Sequence, residues 1–226
     1  MTRIVDPVLE ELRQTVLRMG SLAEAILSKA LRAVWERDAG LALGVPEDDL
    51  EIDRIDVALD EEVTRALALQ SPVGVDLRRI LAIRTMASDL ERVGDLARNI
   101  ANSAVRLAER TPVAMPPRLE ELADQATRVL STALDSFTEA DVEKAQSVLD
   151  ADDTIDHNED QIIQEAIAEA GSNPDETPQQ VDFILIAKHL ERVGDHATNI
   201  AEEVIFLTEA RIVRHEDKFR KEPSRP

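Results

Sequence analysis

The chain has no cysteine and no tyrosine, and only seven glycines in 226 residues. Without cysteine there is no disulfide framework, no thiolate metal site and no cysteine nucleophile, and a reducing compartment suits such a chain best. Long apolar runs are missing as well. The longest near the motifs described below is Phe183-Ile184-Leu185-Ile186-Ala187, far short of the roughly 20 residues a membrane-spanning helix needs. Residues 1–20 carry charge throughout and contain no apolar stretch of signal-peptide type. Positive charge is scarce: 26 Lys and Arg stand against 46 Asp and Glu, for a net charge of −20. Nucleic acid is thereby excluded as a partner, since its phosphates require clustered cations. A solubilising surface, a cation-binding surface or a basic protein partner remain. A soluble cytoplasmic protein is expected.

Catalytic signatures are also lacking. There is no glycine-rich phosphate loop, Walker lysine or nucleophile elbow. None of His157, His189, His196 and His215 has a glutamate three residues before it, so the Glu-x-x-His pairs of di-iron bundles are absent. No arginine cluster or backbone nest suggests direct binding of phosphate.

What is there is helical. Ala, Leu, Glu, Arg and Val dominate, and apolar residues recur at three- and four-residue intervals. A first helix opens at Asp6-Pro7, a cap residue followed by a proline at the first helical position. Its core stripe runs through Leu9, Leu12, Val16, Met19, Ala23, Ile26, Ala30 and Val34. Further helices are predicted over 47–69 and 75–109, then one headed by Leu119-Glu120-Glu121-Leu122, then over 139–170, and from about 177. Pro112, Pro116 and Pro117 mark a linker, after which Leu119-Glu120-Glu121-Leu122 echoes Leu9-Glu10-Glu11-Leu12. The fold class is therefore all-α: two tandem antiparallel three-helix bundles related by internal duplication, over 1–110 and 111–212. Residues 213–226, locally basic and containing Pro223 and Pro226, are predicted to be a disordered tail.

The duplication is sharpest in one phrase. Residues 90–101 and 190–201 agree at ten of twelve positions, the mismatches being Leu96/His196 and Arg98/Thr198. Core packing needs only apolar residues to persist, so the retained Glu, Arg, Asp and Asn point to a duplicated site. On a helical wheel Glu91, Asp95 and Asn99 fall within about 80° of one another, and Leu90, Val93, Ala97 and Ile100 lie on the opposite, core-facing side. Glu191, Asp195 and Asn199 repeat the arrangement. Carboxylates four residues apart repel each other unless something neutralises them. The preceding helix of each half brings more acids: Asp53 and Asp56 correspond to Asp156 and Glu159, and Asp49 to Asp152, all at an offset of 103. Facing one another across an antiparallel pair, these oxygens suit hard cations rather than soft ones. An isolated Glu-x-x-x-Asp is usually plain surface charge, and only the matched second copy lifts this pair above that. Gly94 and Gly194, each inside a helix at a cost of about 1 kcal/mol, fit close helix approach or access for an ion. His189 is expected to make a local hydrogen bond, His157 to be surface, and His196, beside Asp195, to be a further candidate ligand. Arg92 and Arg192 are candidate partner-binding residues, with an ordinary surface ion pair as the plainer role.

Two three-helix halves, each with Glu-Arg-Val-Gly-Asp-x-Ala-x-Asn-Ile on its third helix, resemble the PhoU family, as does the turn Gln70-Ser71-Pro72-Val73-Gly74-Val75-Asp76-Leu77-Arg78. The resemblance covers about residues 5–210, although Gly171–Pro178 replaces that turn in the second half. It implies a cytoplasmic, non-enzymatic adaptor, held at the inner membrane only through partners. Such an adaptor links a phosphate ABC transporter to a sensor histidine kinase, represses the phosphate-starvation response and forms a dimer. It also implies metal ions or multinuclear iron clusters on Glu91, Asp95, Glu191 and Asp195; iron, manganese, magnesium, calcium and zinc all remain open. A carboxylate-bridged metal-dependent enzyme and a purely structural helical scaffold are the alternatives.

Overall fold

The computed structural model describes residues 6–213, so the expected disordered tail, Val213 excepted, lies outside the described residues together with His215. Helix α1 spans Asp6–Glu36, and its predicted stripe is the buried one, with Leu12, Val16, Met19, Ala23 and Val34 fully enclosed. Arg37, at a φ of 51°, turns the chain out of α1. A short helix α2, Ala39–Leu43, follows, capped by the Asp38 carboxylate, which accepts from the Leu41 N–H at 2.9 Å. Helix α3 covers Val45–Gln70, with Pro46 in its first turn beside Glu47 and Asp48. Ser71 and Gly74 both take positive φ, which lets the chain reverse into α4, Val75–Ala108. After the proline linker come α5 (Pro117–Glu139) and α6 (Val142–Ser172), the latter capped by Asp141. A single 3-10 turn, Pro174–Glu176, leads into α7, Thr177–Glu209. No strand occurs among the described residues.

Helices α1, α3 and α4 form one three-helix bundle, and α5, α6 and α7 the other. The two long helices that carry the repeated phrase, α4 and α7, lie against each other. They run antiparallel: Asp89 of α4 meets His196 and Asn199 of α7, whereas Arg106 and Arg110 near the far end of α4 meet Asp182 near the start of α7. Apolar side chains from both bundles therefore join in one continuous core. A second bridge joins α1 to α5, where Gly20 leaves room for Leu134; a Cβ there would stand 2.6 Å from Leu134 Cδ2.

Charge also crosses between the halves. Asp182 is only 2% exposed and is gripped by Arg106 Nε at 2.7 Å and Arg110 Nη1 at 2.5 Å. Buried carboxylates are retained where cations and hydrogen bonds meet them, and here both guanidiniums come from the other bundle. Two differences from the sequence expectation stand out. Helix α2 was not anticipated, because five residues are too few to show a period. Helix α6 begins about three and ends about two residues later than the composition suggests, its start being set by the Asp141 cap.

Candidate functional site

The antiparallel pairing of α3 with α4, and of α6 with α7, creates two grooves lined by the predicted acids. In the α3/α4 groove Glu91, Asp95, Asp53 and Asp56 are all half-buried, and Asp49 below them is 1% exposed. Their fields overlap. Desolvation, reinforced by Asp95, Asp56 and Asp53, raises the Glu91 carboxyl above its ordinary value. Asp56 is raised by desolvation too, against the pull of Arg84. Burial pushes Asp49 up to about 6 even though Arg98 opposes the shift.

This groove carries its own cations. Arg98 Nη1 donates to Asp49 Oδ2 at 2.7 Å, and the same guanidinium reaches Asp95. Arg92 pairs with Glu91 at 3.2 Å and Asp95 at 3.0 Å, and Arg84 bonds Asp56 at 3.1 Å and also meets Asp60. Asp49 Oδ1 is nevertheless left buried without a hydrogen-bond partner, aimed at the gap over Gly94.

The α6/α7 groove has the same acids and a different balance. Glu191 is pushed up to about 7 by desolvation and by Asp195, Asp156 and Glu159. Asp195 and Asp156 are both exposed; the partial desolvation of Asp195 and the charge of Asp152 raise its carboxyl, and partial desolvation with Asp152 and Asp195 raises that of Asp156. Thr198 stands where Arg98 does in the first groove, and its hydroxyl donates to Asp152 at 3.2 Å. Lys188 holds Glu159 at 2.9 Å. Among the described residues no ion pair reaches Glu191, Asp195 or Asp156. The acids of both grooves line them rather than converge, and among the described residues no three acids or histidines already form a metal-ligand cluster.

Other sequence-predicted residues fall elsewhere. Asn199 donates to Asp89 at 3.0 Å, across to α4 rather than toward the α6 acids. His196 does the same through Nδ1 at 2.9 Å, so it is an inter-repeat tether and not a groove ligand in this arrangement. His189 makes no local hydrogen bond: its Nδ1 is buried without a partner, and desolvation with Arg192 and Arg106 lowers its pKa. Asn99 is half-buried, His157 is exposed, and Arg192 is exposed beside Asp195. Sequence reasoning missed Arg98, Arg84 and Asp89. The signal for Arg98 was the mismatch with Thr198 inside an otherwise repeated phrase.

The glycines give an immediate prediction. A Cβ on Gly94 would collide with the Asp49 Oδ1 and lie 3.2 Å from Ile52 Cδ1, whereas on Gly194 it would meet only Ile155, at 3.1 Å. Asp49 is tethered to Arg98 and cannot swing away freely. Gly94→Ala should therefore lose about 1–3 kcal/mol to overpacking, against a helix-propensity gain of about 1 kcal/mol. Gly194→Ala should be close to neutral, because a leucine-sized neighbour can shift a few tenths of an ångström. Thermal melts of the two variants side by side check this, and equal melting temperatures would contradict the assignment of Asp49 to that gap.

A two-bundle fold with this phrase on α4 and α7 has counterparts among known proteins. The PhoU domain model matches the chain twice, over residues 16–104 and 119–204. The chain belongs to the PhoU domain family. Both PhoU repeats thus include the phrase, and each match runs through three long helices of one bundle. A PhoU homolog from Pseudomonas putida, a phosphate-specific transport system accessory protein, is 37% identical over 92% of this chain and 81% of its own length. The protein of that name from Pseudomonas aeruginosa is 36% identical over 92% of this chain and 86% of its own. The crystal structure of PhoU from Pseudomonas aeruginosa superposes with a TM-score of 0.89 at 34% identity, covering 91% of this chain and 99% of that one. The phosphate transport system regulatory protein PhoU from Streptococcus pneumoniae superposes at 0.84 with 30% identity, over 92% and 99% of the two chains.

Proposed function

We propose that this chain is a cytoplasmic accessory regulator of phosphate transport that binds hard metal ions in its acidic grooves. It represses the phosphate-starvation response by docking between a phosphate ABC transporter and a sensor histidine kinase, and it acts as a dimer without turnover of its own. The relatives' names support the phosphate-transport role, and no helix among the described residues is long and apolar enough to cross a membrane. The observation that carries metal binding is the state of Glu191: a half-buried carboxyl pushed up to about 7 by desolvation and then by neighbouring acids, with no ion pair of its own among the described residues. Glu191, Asp195, Asp156 and Asp152 would hold the ion there; Glu91, Asp95, Asp53 and Asp49 are the corresponding set in the other half. All these donors are oxygen, as hard cations require, and the unpartnered Asp49 Oδ1 shows acceptor capacity left unused. A bound cation supplies positive charge that cancels carboxylate repulsion. The chain's own part is to hold α6 against α7 so that a partner meets a fixed surface, with exposed Arg192 at its edge.

Elemental analysis of untagged protein purified without chelator tests this reading, beside a variant with Glu91, Asp95, Glu191 and Asp195 all changed to alanine. Stoichiometric metal in the parent and none in a still-helical variant is expected. In cells, the same variant should leave starvation genes expressed in phosphate-rich medium. Equally negligible metal in both proteins would refute the metal site and leave the grooves as partner-docking surfaces.

A further inference from the structure

Because α4 and α7 run antiparallel, the two repeats meet at two equivalent junctions, one at each end of this helix pair, and the two are closed differently. At the Arg110 end the linker between the repeats lies across the junction. Val113 and Met115 pack against the core, while Thr111 and Ala114 face solvent. Two side chains hold the linker: Arg37 donates to Leu107 O and Val113 O, both at 3.1 Å, and Gln179 donates to Thr111 O at 3.2 Å. At the other end the equivalent space is an open cavity of about 660 Å³, floored by Leu9, Ile83, Phe137, Val204 and Leu207. Its wall repeats the residues that meet the linker. Arg79 and Leu207 correspond to Gln179 and Leu107 at the offset of the repeated phrase. Ala140 corresponds to Arg37: their φ values are 54° and 51°, and each precedes an aspartate cap whose N–H bonds the carbonyl five residues back, Ser136 O or Ala33 O. We propose that this cavity is a docking site for an extended segment of a partner protein with two apolar side chains at alternate positions, seated as residues 111–116 are seated at the other end.

The chain's own linker is the template for the occupant. It has no regular secondary structure, so its side chains alternate, two into the core and the one between them outward. Main-chain bonds hold such a segment and apolar pockets select its alternate side chains, which is how extended peptides are commonly recognised. The cavity's volume lies in the range that bound molecules fill, about 300–1,000 Å³. Its free donor is Arg79, which is exposed and has no ion-pair or hydrogen-bond partner among the described residues. Standing at the position of Gln179, it is placed to take a carbonyl of the partner's backbone. Arg13, the other guanidinium at the rim, is already engaged, donating to Thr138 O at 2.8 Å beside Glu10. The second donor is missing, since Ala140 stands where Arg37 does at the linker end. None of the groove acids lines this cavity, so the inference stands apart from the metal reading.

The probe is a synthetic peptide of residues 111–116 with blocked ends, titrated into the full chain with isotope-labelled Ile, Leu and Val methyl groups and followed by NMR. Saturable shifts are expected at Ile83, Val204 and Leu207. A peptide carrying Val113→Asp and Met115→Asp should leave those signals in place. Arg79→Ala should weaken the peptide by about tenfold, the loss of one charge-assisted hydrogen bond. Ala140→Arg, which gives the cavity the guanidinium that Arg37 gives the linker, should tighten it by a similar factor. A parent that binds neither peptide, equal shifts with both peptides, or an affinity unchanged in both variants overturns the proposal. Binding seen only after residues 1–5 are removed would put the chain's own start in the cavity. Shifts of the same methyls on dilution without peptide would put a second copy there. Each of those two results overturns the assignment to a partner.

Discussion

Arg98→Ala is expected to destabilise the protein at pH 8 by about 3 kcal/mol, the low end for removing one partner of a buried ion pair because the outer side of the guanidinium is solvated. Asp49 is 1% exposed, its Oδ2 depends on Arg98 at 2.7 Å, and its Oδ1 already lacks a partner. Without the arginine the Asp49 carboxylate would lose its counter-charge beneath α4, so it would have to take up a proton, draw solvent into the space the guanidinium left or pull α3 away from α4. At roughly 2–4 °C per kcal/mol for a chain of this length, the melting temperature should fall by roughly 6–12 °C. Adding Asp49→Leu to Arg98→Ala removes the stranded charge and should recover most of the loss, since replacing both partners of a buried pair is often nearly neutral. The equivalent change in the other repeat, Thr198→Ala, breaks one neutral hydrogen bond to Asp152 at 3.2 Å and should cost about 1 kcal/mol or less. Thermal unfolding followed by circular dichroism reads all three variants beside the parent. Equal losses at positions 98 and 198 would show that Arg98 is a surface residue after all.

That contrast also shows where sequence reading stops. The long helices were legible because apolar residues repeat at helical spacing over six or more turns, as in the stripe from Leu9 to Val34. The pairing of acids across two helices was legible because Asp53 and Asp56 recur as Asp156 and Glu159 at the offset of the duplicated phrase. What repeats is easy to see, whereas the balance of charge in each groove is set by what does not repeat. Arg98 and Thr198 differ in length and charge, but only the placement of Asp49 beneath α4 shows which carboxylate each one answers. Tethers across the repeats were hidden for another reason. His196 and Asp89 are 107 positions apart, and no local pattern records that α4 and α7 lie antiparallel in that register. For the same reason His189, expected to satisfy itself locally, lies with a buried, unpartnered ring nitrogen at the junction of the halves.

Stability of the metal-free protein should fall as pH rises from 5 to 8, opposite to the usual behaviour of salt-bridged carboxylates. The reason is the direction of the shifts: Asp49 moves from 3.8 to about 6, Glu191 from 4.5 to about 7, and Glu91, Asp56, Asp156 and Asp195 all move upward. A carboxyl raised on folding binds its proton more tightly in the native state than in the unfolded chain. Between the unfolded and folded pKa values the native state therefore holds more protons, and stability declines with pH until the folded value is passed. For Asp49 that window closes near pH 6 and for Glu191 near pH 7. At about 1.4 kcal/mol per pKa unit, and with a discount for solvent screening, the two groups together account for roughly 2–3 kcal/mol between pH 5 and pH 8. The melting temperature should drop by roughly 4–12 °C over that range. Adding Mn²⁺ at pH 8 should restore most of it, because a cation in the α6/α7 groove replaces the lost protons and stabilises the fold by mass action. Replacing Glu191 with glutamine should remove the larger part of the slope, with the remainder carried by Asp49 and the other raised acids against the opposite contribution of His189, whose pKa burial lowers. A flat profile from pH 5 to 8 in the parent would mean that the groove acids are fully hydrated, and the electrostatic basis for a cation site would go with it.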